Sequence, residues 1–235
     1  MDEASAGGFL PPRRSPVVDA AERPESEFLP LSGPSSVDGD GGLCRALRRA
    51  FASLGYSPKD ILVVSGDGPL RRVPQALRVY GVCGLPGALP AFAAGAKLAD
   101  RGLTAIVVLS SSEVRGAGLA GLLHSARANP DILCVCVSDG RESVDPVAAL
   151  MAAGAGFLAR ASCSEADATA SLLAEALRHK GFSFVECRRV SDGGAGRSPA
   201  FGVLSRREGS PSLEELDPAN ARWGPLVRLP AGPLP

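Results

Sequence analysis

Short, uninterrupted apolar runs recur through the middle of the chain. Continuous runs of this kind are typical of strands that are buried on both faces, as in a parallel sheet covered by helices. Turn residues bound the first run, which is rich in β-branched side chains. The predicted strands lie at 61–65 (ILVVS), 104–109 (TAIVVL), 131–137 (DILCVCV), 156–161 (GFLARA) and 182–187 (FSFVEC).

Segments with helical periodicity separate these runs. Leu43, Leu47, Phe51 and Leu54 recur at helical spacing and predict a first helix that stops near Gly55. Further helices are predicted at 88–100, at 116–129, at 145–154 and after Ser164. Alternation of strands and helices predicts an α/β fold with a doubly wound, mostly parallel sheet.

The pattern divides the chain into three parts. Residues 1–38 are rich in Pro, Ser, Gly and Glu and lack periodicity, which favours a disordered or extended arm. Residues 39–190 carry the α/β domain. Residues 191–235 contain Gly-rich and Pro-rich stretches and are predicted to form an extended tail.

Charge and cysteine content indicate which partners and which cellular compartment to expect. The 25 basic and 25 acidic residues balance, so no net field favours nucleic acid or an anionic membrane as a partner. The N-terminus lacks an apolar signal segment, and the six cysteines show no disulfide framework. We therefore expect a cytoplasmic protein with reduced thiols.

In such sheets, ligands bind at the carboxyl ends of the strands. The loops that follow three predicted strands read SGDGPLRR from Ser65, SSSEVRGAG from Ser110 and SDGRESVDP from Ser138. Gly66-Asp67-Gly68 in the first loop has the appearance of a thiamine-diphosphate metal motif. The third glycine of a dinucleotide-binding fingerprint is missing there, because Arg71 occupies its position.

The region from Gly41 to Glu186 resembles the β subunit of 2-oxoacid:ferredoxin oxidoreductases, which is a thiamine-diphosphate-binding domain. The resemblance implies an α/β fold of thiamine-diphosphate-binding type, oxidative decarboxylation of 2-oxoacids with coenzyme A and ferredoxin, and assembly with an α-type subunit. The residues that carry it are Ser65-Gly66, Gly68, Arg72, Pro74, Tyr80-Gly81, GLPG (84–87), GAKLA (95–99), AIVV (105–108), LLHSARAN (122–129) and HKGFSFVE (179–186).

By the same resemblance, the family's metal-binding Gly-Asp-Gly follows the predicted strand 104–109. Ser111 stands where the metal-binding Asp is expected, and Ser110 and Ser112 replace the glycines. Asp139 stands where the partner Asn is expected. The likeness of Gly66 and Gly68 to the motif is therefore coincidental. Both glycines nevertheless count among the degenerate cofactor-binding positions, with Ser110, Ser111, Ser112 and Asp139.

These replacements weaken a magnesium site. Magnesium favours carboxylate and phosphate oxygens, whereas a serine hydroxyl is neutral. Glycine also allows close backbone approach, which serine side chains hinder. Glu113 and Asp139 are weak candidates for a rearranged metal site, and solvated loop acids are the simpler interpretation. We therefore expect no cofactor, with thiamine diphosphate and Mg²⁺ as the alternative.

The resemblance also implies an iron–sulfur cluster held by four cysteines, and the corresponding positions lack thiolates. They are Ser35, Asp38, Pro69 and Ser191. A cluster needs thiolate ligands, so we expect none. The family's HGLHGR-like turn is CGLPGA at 83–88, without its histidines and arginine. We expect no catalytic residue in this chain.

Two classes of function remain. In the first, the chain is a degenerate β-type subunit that acts as a structural or regulatory partner of an α-type subunit or of a paralogous β subunit. In the second, it is an active thiamine-diphosphate-dependent subunit with a rebuilt metal site and no β-subunit cluster. Loss of three motifs together, with core segments retained, favours the first class.

Overall fold

The computed structural model describes residues 24–29, 41–66, 68–85, 87–139, 144–189 and 202–206. A 3-10 turn at Glu25–Phe28 precedes the domain, and further 3-10 turns lie at Pro58–Asp60 and Gly68–Arg72. The α-helices are α1 (Gly41–Ser53), α2 (Val73–Leu77), α3 (Leu89–Ala99), α4 (Ser111–Glu113), α5 (Leu119–Ala128), α6 (Pro146–Ala153) and α7 (Ala166–Arg178), and a π-helical turn at Val114–Gly118 joins α4 to α5.

Seven strands form one sheet in the order β2-β1-β3-β4-β6-β5-β7. All pairings are parallel except that between β5 and β7, which is antiparallel. The strands are β1 (Ile61–Ser65), β2 (Tyr80–Cys83), β3 (Thr104–Ser110), β4 (Ile132–Ser138), β5 (Phe157–Ser162), β6 (Ser183–Arg188) and β7 (Gly202–Arg206). Strand β7 lies within the region for which the sequence predicted an extended tail.

Two hydrophobic cores lie on opposite faces of the sheet, because successive strand residues point to opposite sides. On one face, Ile106 and Val108 pack with residues of α1, α2 and α7. On the other face, Val107 and Leu109 pack with residues of α3, α5 and α6. The fold is therefore an α/β sheet with helices on both faces, which confirms the predicted fold class.

Residues of the predicted N-terminal arm pack against α1. Phe28 is buried, and the centroid of its ring lies 5.4 Å from that of Phe51 on α1. Residues 24–29 thus contribute to the core of the domain, whereas the rest of the arm lies outside the described residues. The predicted domain boundaries stay a prediction.

Helix α2 and strand β2 were not identified from the sequence pattern. Strand β2 has four residues and is mostly exposed, so it lacks the buried apolar run by which the other strands were found. No helix among the described residues is long and apolar enough to cross a membrane.

Candidate functional site at the carboxyl edge of the sheet

The parallel register brings the ends of β1, β3 and β4 to one edge of the sheet. Ser65 of β1 pairs with Val108 of β3, and Ser110 at the end of β3 pairs with Val137 of β4. Gly66 follows β1 directly, and Asp139 follows β4. The structure therefore brings the loops that carry the predicted cofactor positions together at this edge.

The serine run after β3 starts a helix. The Ser110 hydroxyl accepts a hydrogen bond from the Glu113 backbone N–H at 3.3 Å, and the Ser110 N–H donates to Glu113 Oε2 at 2.7 Å. This reciprocal pair is a capping box, and it satisfies two backbone donors that a helix start leaves without intrahelical partners. The Ser110 hydroxyl also lies 2.8 Å from Glu113 Oε2 and 2.9 Å from the Ser112 hydroxyl.

The Glu113 carboxylate also fills the space beside Gly66. A Cβ atom added at Gly66 would lie 1.4 Å from Glu113 Oε1. Glycine at position 66 therefore makes room for this side chain, which is 9% exposed. One carboxylate thus joins the end of β3 to the loop after β1, and neither contact had been predicted.

A small cavity of about 100 Å³ lies at the same edge, between β4 and the helices that follow β3 and β4. Ser111, at the position of the expected metal-binding Asp, lines it. The other lining residues are Val114, Arg115, Leu119, Cys136, Ser138, Val144 and Pro146. Ser111 was a candidate from the sequence, and the register of β3 and β4 brings the other lining residues close to it.

The remaining candidates lie at the surface. Gly68 starts a 3-10 turn at φ +78°, and an added Cβ there would meet nothing within 4 Å. Asp139 is exposed, as is Ser112. Among the described residues, no three His, Cys, Asp or Glu side chains are grouped as metal ligands. The run Ser110–Glu113 thus offers three hydroxyls and a carboxylate that accepts hydrogen bonds within its own helix cap, whereas magnesium favours carboxylate and phosphate oxygens.

One of the four positions that correspond to the family's iron–sulfur ligands lies among the described residues. Pro69 lies in the 3-10 turn after β1, whereas Ser35, Asp38 and Ser191 lie outside the described residues. Cys134 and Cys136 are buried on β4 within the core, as expected for packing residues. Burial raises the pKa of the Cys134 thiol far above its usual range, so it stays protonated.

A charged network beside the cavity was missed by sequence reasoning. Glu186 on β6 is 1% exposed and accepts hydrogen bonds from Arg160 at 2.7 Å and from Arg188 at 3.1 Å. Arg160 also bonds Asp145, which caps α6 by accepting from Val147 and Ala148. The sequence Asp145-Pro146 could have indicated this cap, since Asp before Pro is typical of a helix start.

Charge pairing shifts the pKa values of Asp145 and Arg160. Burial raises the pKa of the Asp145 carboxyl, but hydrogen bonds from Arg160 and from the Ala148 and Val147 N–H groups outweigh burial. The pKa of Asp145 is consequently lowered. The same pairing raises the pKa of Arg160 despite its partial burial, because Glu186 and Asp145 stabilise the guanidinium. The network thus joins β5, β6 and the start of α6.

Large apolar side chains are exposed on the edge strand β2, in the loop after it and on α3. Tyr80 on β2, Leu85 in the next loop, and Phe92 and Leu98 on α3 are each about half exposed or more. These four residues are called the β2–α3 surface below. The surrounding sequence, Gly81–Ala96, contains no charged residue. Such surfaces are typical of contacts with other proteins.

The chain is similar in sequence to β subunits of 2-oxoacid:ferredoxin oxidoreductases. No family model matches the sequence. The chain is 29% identical to subunit beta of 2-oxoacid:ferredoxin oxidoreductase 1 of Aeropyrum pernix, with 82% of this chain and 67% of that protein covered. It is 25% identical to a 2-oxoacid:ferredoxin oxidoreductase subunit beta of Sulfolobus, with 82% and 70% covered.

A solved structure shows the same fold. The 2-oxoglutarate:ferredoxin oxidoreductase from Magnetococcus marinus, which was solved with 2-oxoglutarate, coenzyme A and succinyl-CoA bound, matches with a TM-score of 0.71 at 18% identity. The match covers 81% of this chain and 87% of that chain. This likeness and the two β subunits confirm the resemblance that the sequence motifs indicated. The chain is similar over four-fifths of its length to β subunits of 2-oxoacid:ferredoxin oxidoreductases.

Proposed function

We propose that the chain is a β-type subunit of the 2-oxoacid:ferredoxin oxidoreductase kind that does not bind thiamine diphosphate and acts as a structural or regulatory partner. Its partner would be an α-type subunit or a paralogous β subunit. The likeness to β subunits supports the subunit role. The arrangement of Glu113 is the single observation that most supports the non-catalytic role.

Glu113 supports this proposal because its carboxylate has a structural task. It accepts hydrogen bonds from the Ser110 N–H and hydroxyl and packs against Gly66. Moving it to a metal would open the capping box and leave the Ser110 N–H without its acceptor. Loss of such a cap costs about 0.5–2 kcal/mol, in addition to the weak affinity of serine hydroxyls for magnesium.

The β2–α3 surface supports the partner role. Leu85 is 78% exposed and Tyr80 is 58% exposed, which leaves large apolar side chains in water. Removing such area from water is favourable by roughly 25 cal/mol per Å² of apolar surface, before the cost of association is subtracted. The stretch Gly81–Ala96 contains no charged residue, so its burial adds no desolvation cost for ionised groups. A subunit partner bound there would account for this exposure.

The alternative is an active thiamine-diphosphate-dependent subunit with a rebuilt metal site and no cluster of its own. The cavity of about 100 Å³ lined by Ser111 and Ser138 favours this alternative, because it leaves space at the edge where the family's cofactor motif is expected. Asp139, directly after β4, would then be a metal-ligand candidate together with Glu113.

Co-expression with an α-type subunit from the same organism tests the proposal. We expect a stable complex that shows no reduction of a viologen dye with 2-oxoacid, coenzyme A, thiamine diphosphate and Mg²⁺. The matched control is the same α-type subunit with a β subunit that retains the Gly-Asp-Gly motif. Dye reduction that requires this chain would support the alternative. Failure to associate both with the α-type subunit and, in a parallel co-expression, with a paralogous β subunit would contradict the partner role.

A further inference from the structure

Helix α3 presents an apolar face to the outside of the domain. Its exposed residues fall on one side of the helix, because positions three, four and seven apart share a face. In an ordinary surface helix the exposed side is polar, whereas on this side every residue is apolar or glycine. The five residues, called the outer face of α3 below, are Ala91, Phe92, Gly95, Leu98 and Ala99.

The only charged residue of α3 points to the interior instead. Lys97 is 8% exposed. Its ammonium group donates hydrogen bonds to the Arg101 carbonyl at 3.0 Å and to the Leu103 carbonyl at 2.9 Å, and it pairs with the Asp131 carboxylate at 3.2 Å. Helix α3 thus has its charge inside and apolar side chains outside. A helix that is apolar around its exposed side is typical of one that another element covers.

The outer face of α3 is symmetric about Gly95. Phe92 and Leu98 lie three residues before and after this glycine, and Ala91 and Ala99 lie four residues before and after it. Two antiparallel copies of α3, related by a two-fold axis at Gly95, therefore place Phe92 of each copy against Leu98 of the other. The alanine positions meet in the same way. This self-complementarity is what a two-fold contact between identical chains requires.

Glycine at position 95 suits the centre of such a contact. Glycine in the middle of a helix lowers its stability relative to alanine. An added Cβ at Gly95 would meet nothing within 4 Å, so packing within the described part of the chain does not require glycine there. A missing side chain lets a second helix approach closely at the point where the two helices cross.

We propose that the outer face of α3 is a self-association site, at which the α3 helices of two copies of this chain pack antiparallel about a two-fold axis at Gly95. The proposal rests on the proposed function in one respect, namely that the β2–α3 surface is a protein contact. It names a second copy as the occupant of the α3 part of that surface. It does not depend on the loss of cofactor binding.

Symmetry and charge favour a second copy over a different subunit. A subunit of another sequence requires no symmetry between the two halves of α3, whereas a two-fold contact does. The outer face carries no ionised group, so two copies meet without like-charge repulsion. Five residues are far fewer than the roughly 20–30 residues per partner of a standard interface. We therefore expect a reversible dimer that dissociates in the micromolar range.

Sedimentation equilibrium of the full-length chain over a range of concentrations tests the proposal. We expect the mass to rise with concentration from 24.0 kDa towards twice that value. Phe92→Glu and Leu98→Lys should each raise the dissociation constant by about tenfold or more, because each places an unpaired charge in the contact. Both residues are 49% exposed, and thermal unfolding checks that the variants fold. Met151→Glu on α6, where Met151 is 43% exposed, is the control and should leave the dimer unchanged.

The double variant Phe92→Glu/Leu98→Lys tests the symmetry. Across the proposed axis, the introduced carboxylate of one copy meets the introduced ammonium of the other, so this dimer should be tighter than that of either single variant. Phe92→Glu/Leu98→Glu is the matched control and should stay monomeric, because like charges would meet. Equal weakening in the two double variants would overturn the two-fold contact.

Gly95→Leu separates the proposed contact from general apolar association. Leucine favours the helix and enlarges the apolar surface, so non-specific association would become tighter. We expect the opposite result, loss of the dimer, because the leucine side chain would hold the two helices apart. Tighter association of Gly95→Leu, or a wild-type chain that is monomeric at every concentration, would overturn the proposal.

Binding to an α-type subunit distinguishes failure of this proposal from failure of the proposed function. A chain that is monomeric alone, and whose complex with an α-type subunit is weakened by Phe92→Glu, would make that subunit the occupant of α3. This outcome overturns self-association and keeps the subunit role. A dimer that responds to the variants as expected, but binds neither an α-type subunit nor a paralogous β subunit, would support self-association and contradict the subunit role.

Discussion

The Glu113 carboxylate lies against Gly66, so close that a methyl group at position 66 would meet Glu113 Oε1 at 1.4 Å. The two residues belong to loops after different strands, β1 and β3, which pair in parallel. Their contact fills the space between the ends of β1 and β3, beside the position where the resemblance puts a cofactor motif. The capping box of Ser110 fixes the side chain in this position.

Substitution of Gly66 by Ala should therefore destabilise the protein. The added methyl group forces Glu113 out of its cap, and overpacking of this kind costs about 1–3 kcal/mol. The loss should be clearly smaller in a Glu113→Ala background, where the space is vacant. Urea denaturation of the four variants of this cycle measures the coupling between the two positions.

Gly95→Ala is the matched control for that cycle. Gly95 is in α3, and an added Cβ there meets nothing within 4 Å. Alanine should stabilise the helix by about 0.4–1 kcal/mol. Equal effects of Gly66→Ala with and without Glu113 would contradict the contact between the two residues.

Protonation of Asp145 should weaken the fold in acid. Its pKa is lowered in the folded state, so its contribution to stability is present above the unfolded pKa of about 3.9 and is lost as pH falls through the folded value. Asn can still cap α6, so Asp145→Asn removes the charge and keeps a cap. We expect this variant to be less stable at neutral pH and to lose less stability than the parent below about pH 4.

Asp100→Asn is the matched control for Asp145→Asn, because it removes a carboxylate that is not part of the Arg160 network. Asp100 is exposed and accepts a hydrogen bond from the Gly102 N–H in a turn, away from the arginine network. Thermal unfolding of the parent, Asp145→Asn and Asp100→Asn proteins is measured from about pH 3 to about pH 7, a range that includes the usual pKa of an Asp carboxyl. Parallel curves for the parent and Asp145→Asn would argue against the Arg160 pairing.

Association should depend on the β2–α3 surface. The wild-type chain is expected to form a dimer or a hetero-oligomer, and Phe92→Glu should weaken it because a charge would be buried in the contact. Light scattering after size-exclusion chromatography measures the mass against 24.0 kDa for one chain. Met151→Glu is the control, since Met151 is similarly exposed on α6. A monodisperse wild-type monomer at high concentration, without a co-purifying protein from the native host, would contradict this prediction.

The protein should carry no iron–sulfur cluster. The positions that correspond to the family's ligands are Ser35, Asp38, Pro69 and Ser191, and none supplies a thiolate. Anaerobically purified protein should be colourless and free of stoichiometric iron and sulfide. A brown preparation with both elements bound to this chain would show that other cysteines serve as ligands.

The local pattern of apolar residues was sufficient to predict much of the fold. The apolar run 61–65 coincides with β1, and the runs at 104–109 and 131–137 coincide with β3 and β4 to within one residue at either end. These strands are buried on both faces, so their sequence carries a strong signal. Strand β2 is an exposed edge strand, and β7 pairs with the distant β5, so neither has a local signature of that kind.

The candidate site was predicted less completely. Ser110-Ser111-Ser112-Glu113 has the serine and glutamate spacing of a capping box, so that part of the site was readable from the sequence. The contact of Glu113 with Gly66 depends on the register of β1 and β3, which the sequence does not encode locally. The same holds for Glu186 and Arg160, which face each other through the register of β5 and β6.

Restoring the family's motif should recover cofactor affinity in stages. Ser110→Gly, Ser111→Asp, Ser112→Gly and Asp139→Asn together restore the ligand types. Because these changes also remove the cap of Glu113, the addition of Glu113→Ala should raise affinity further by clearing the space beside Gly66. Titration calorimetry of both variants with thiamine diphosphate and Mg²⁺ measures the difference, and equal affinities would argue against obstruction by Glu113.

Titration calorimetry of the unmodified chain with thiamine diphosphate and Mg²⁺ tests the central claim most directly. Loss of a ligating charge costs a few kcal/mol, and each ~1.4 kcal/mol weakens affinity about tenfold. We therefore predict no binding heat at micromolar concentrations of cofactor, either for the chain alone or for its complex with an α-type subunit. Tight, magnesium-dependent binding by the unmodified chain would contradict the account and identify Glu113 and Asp139 as metal ligands.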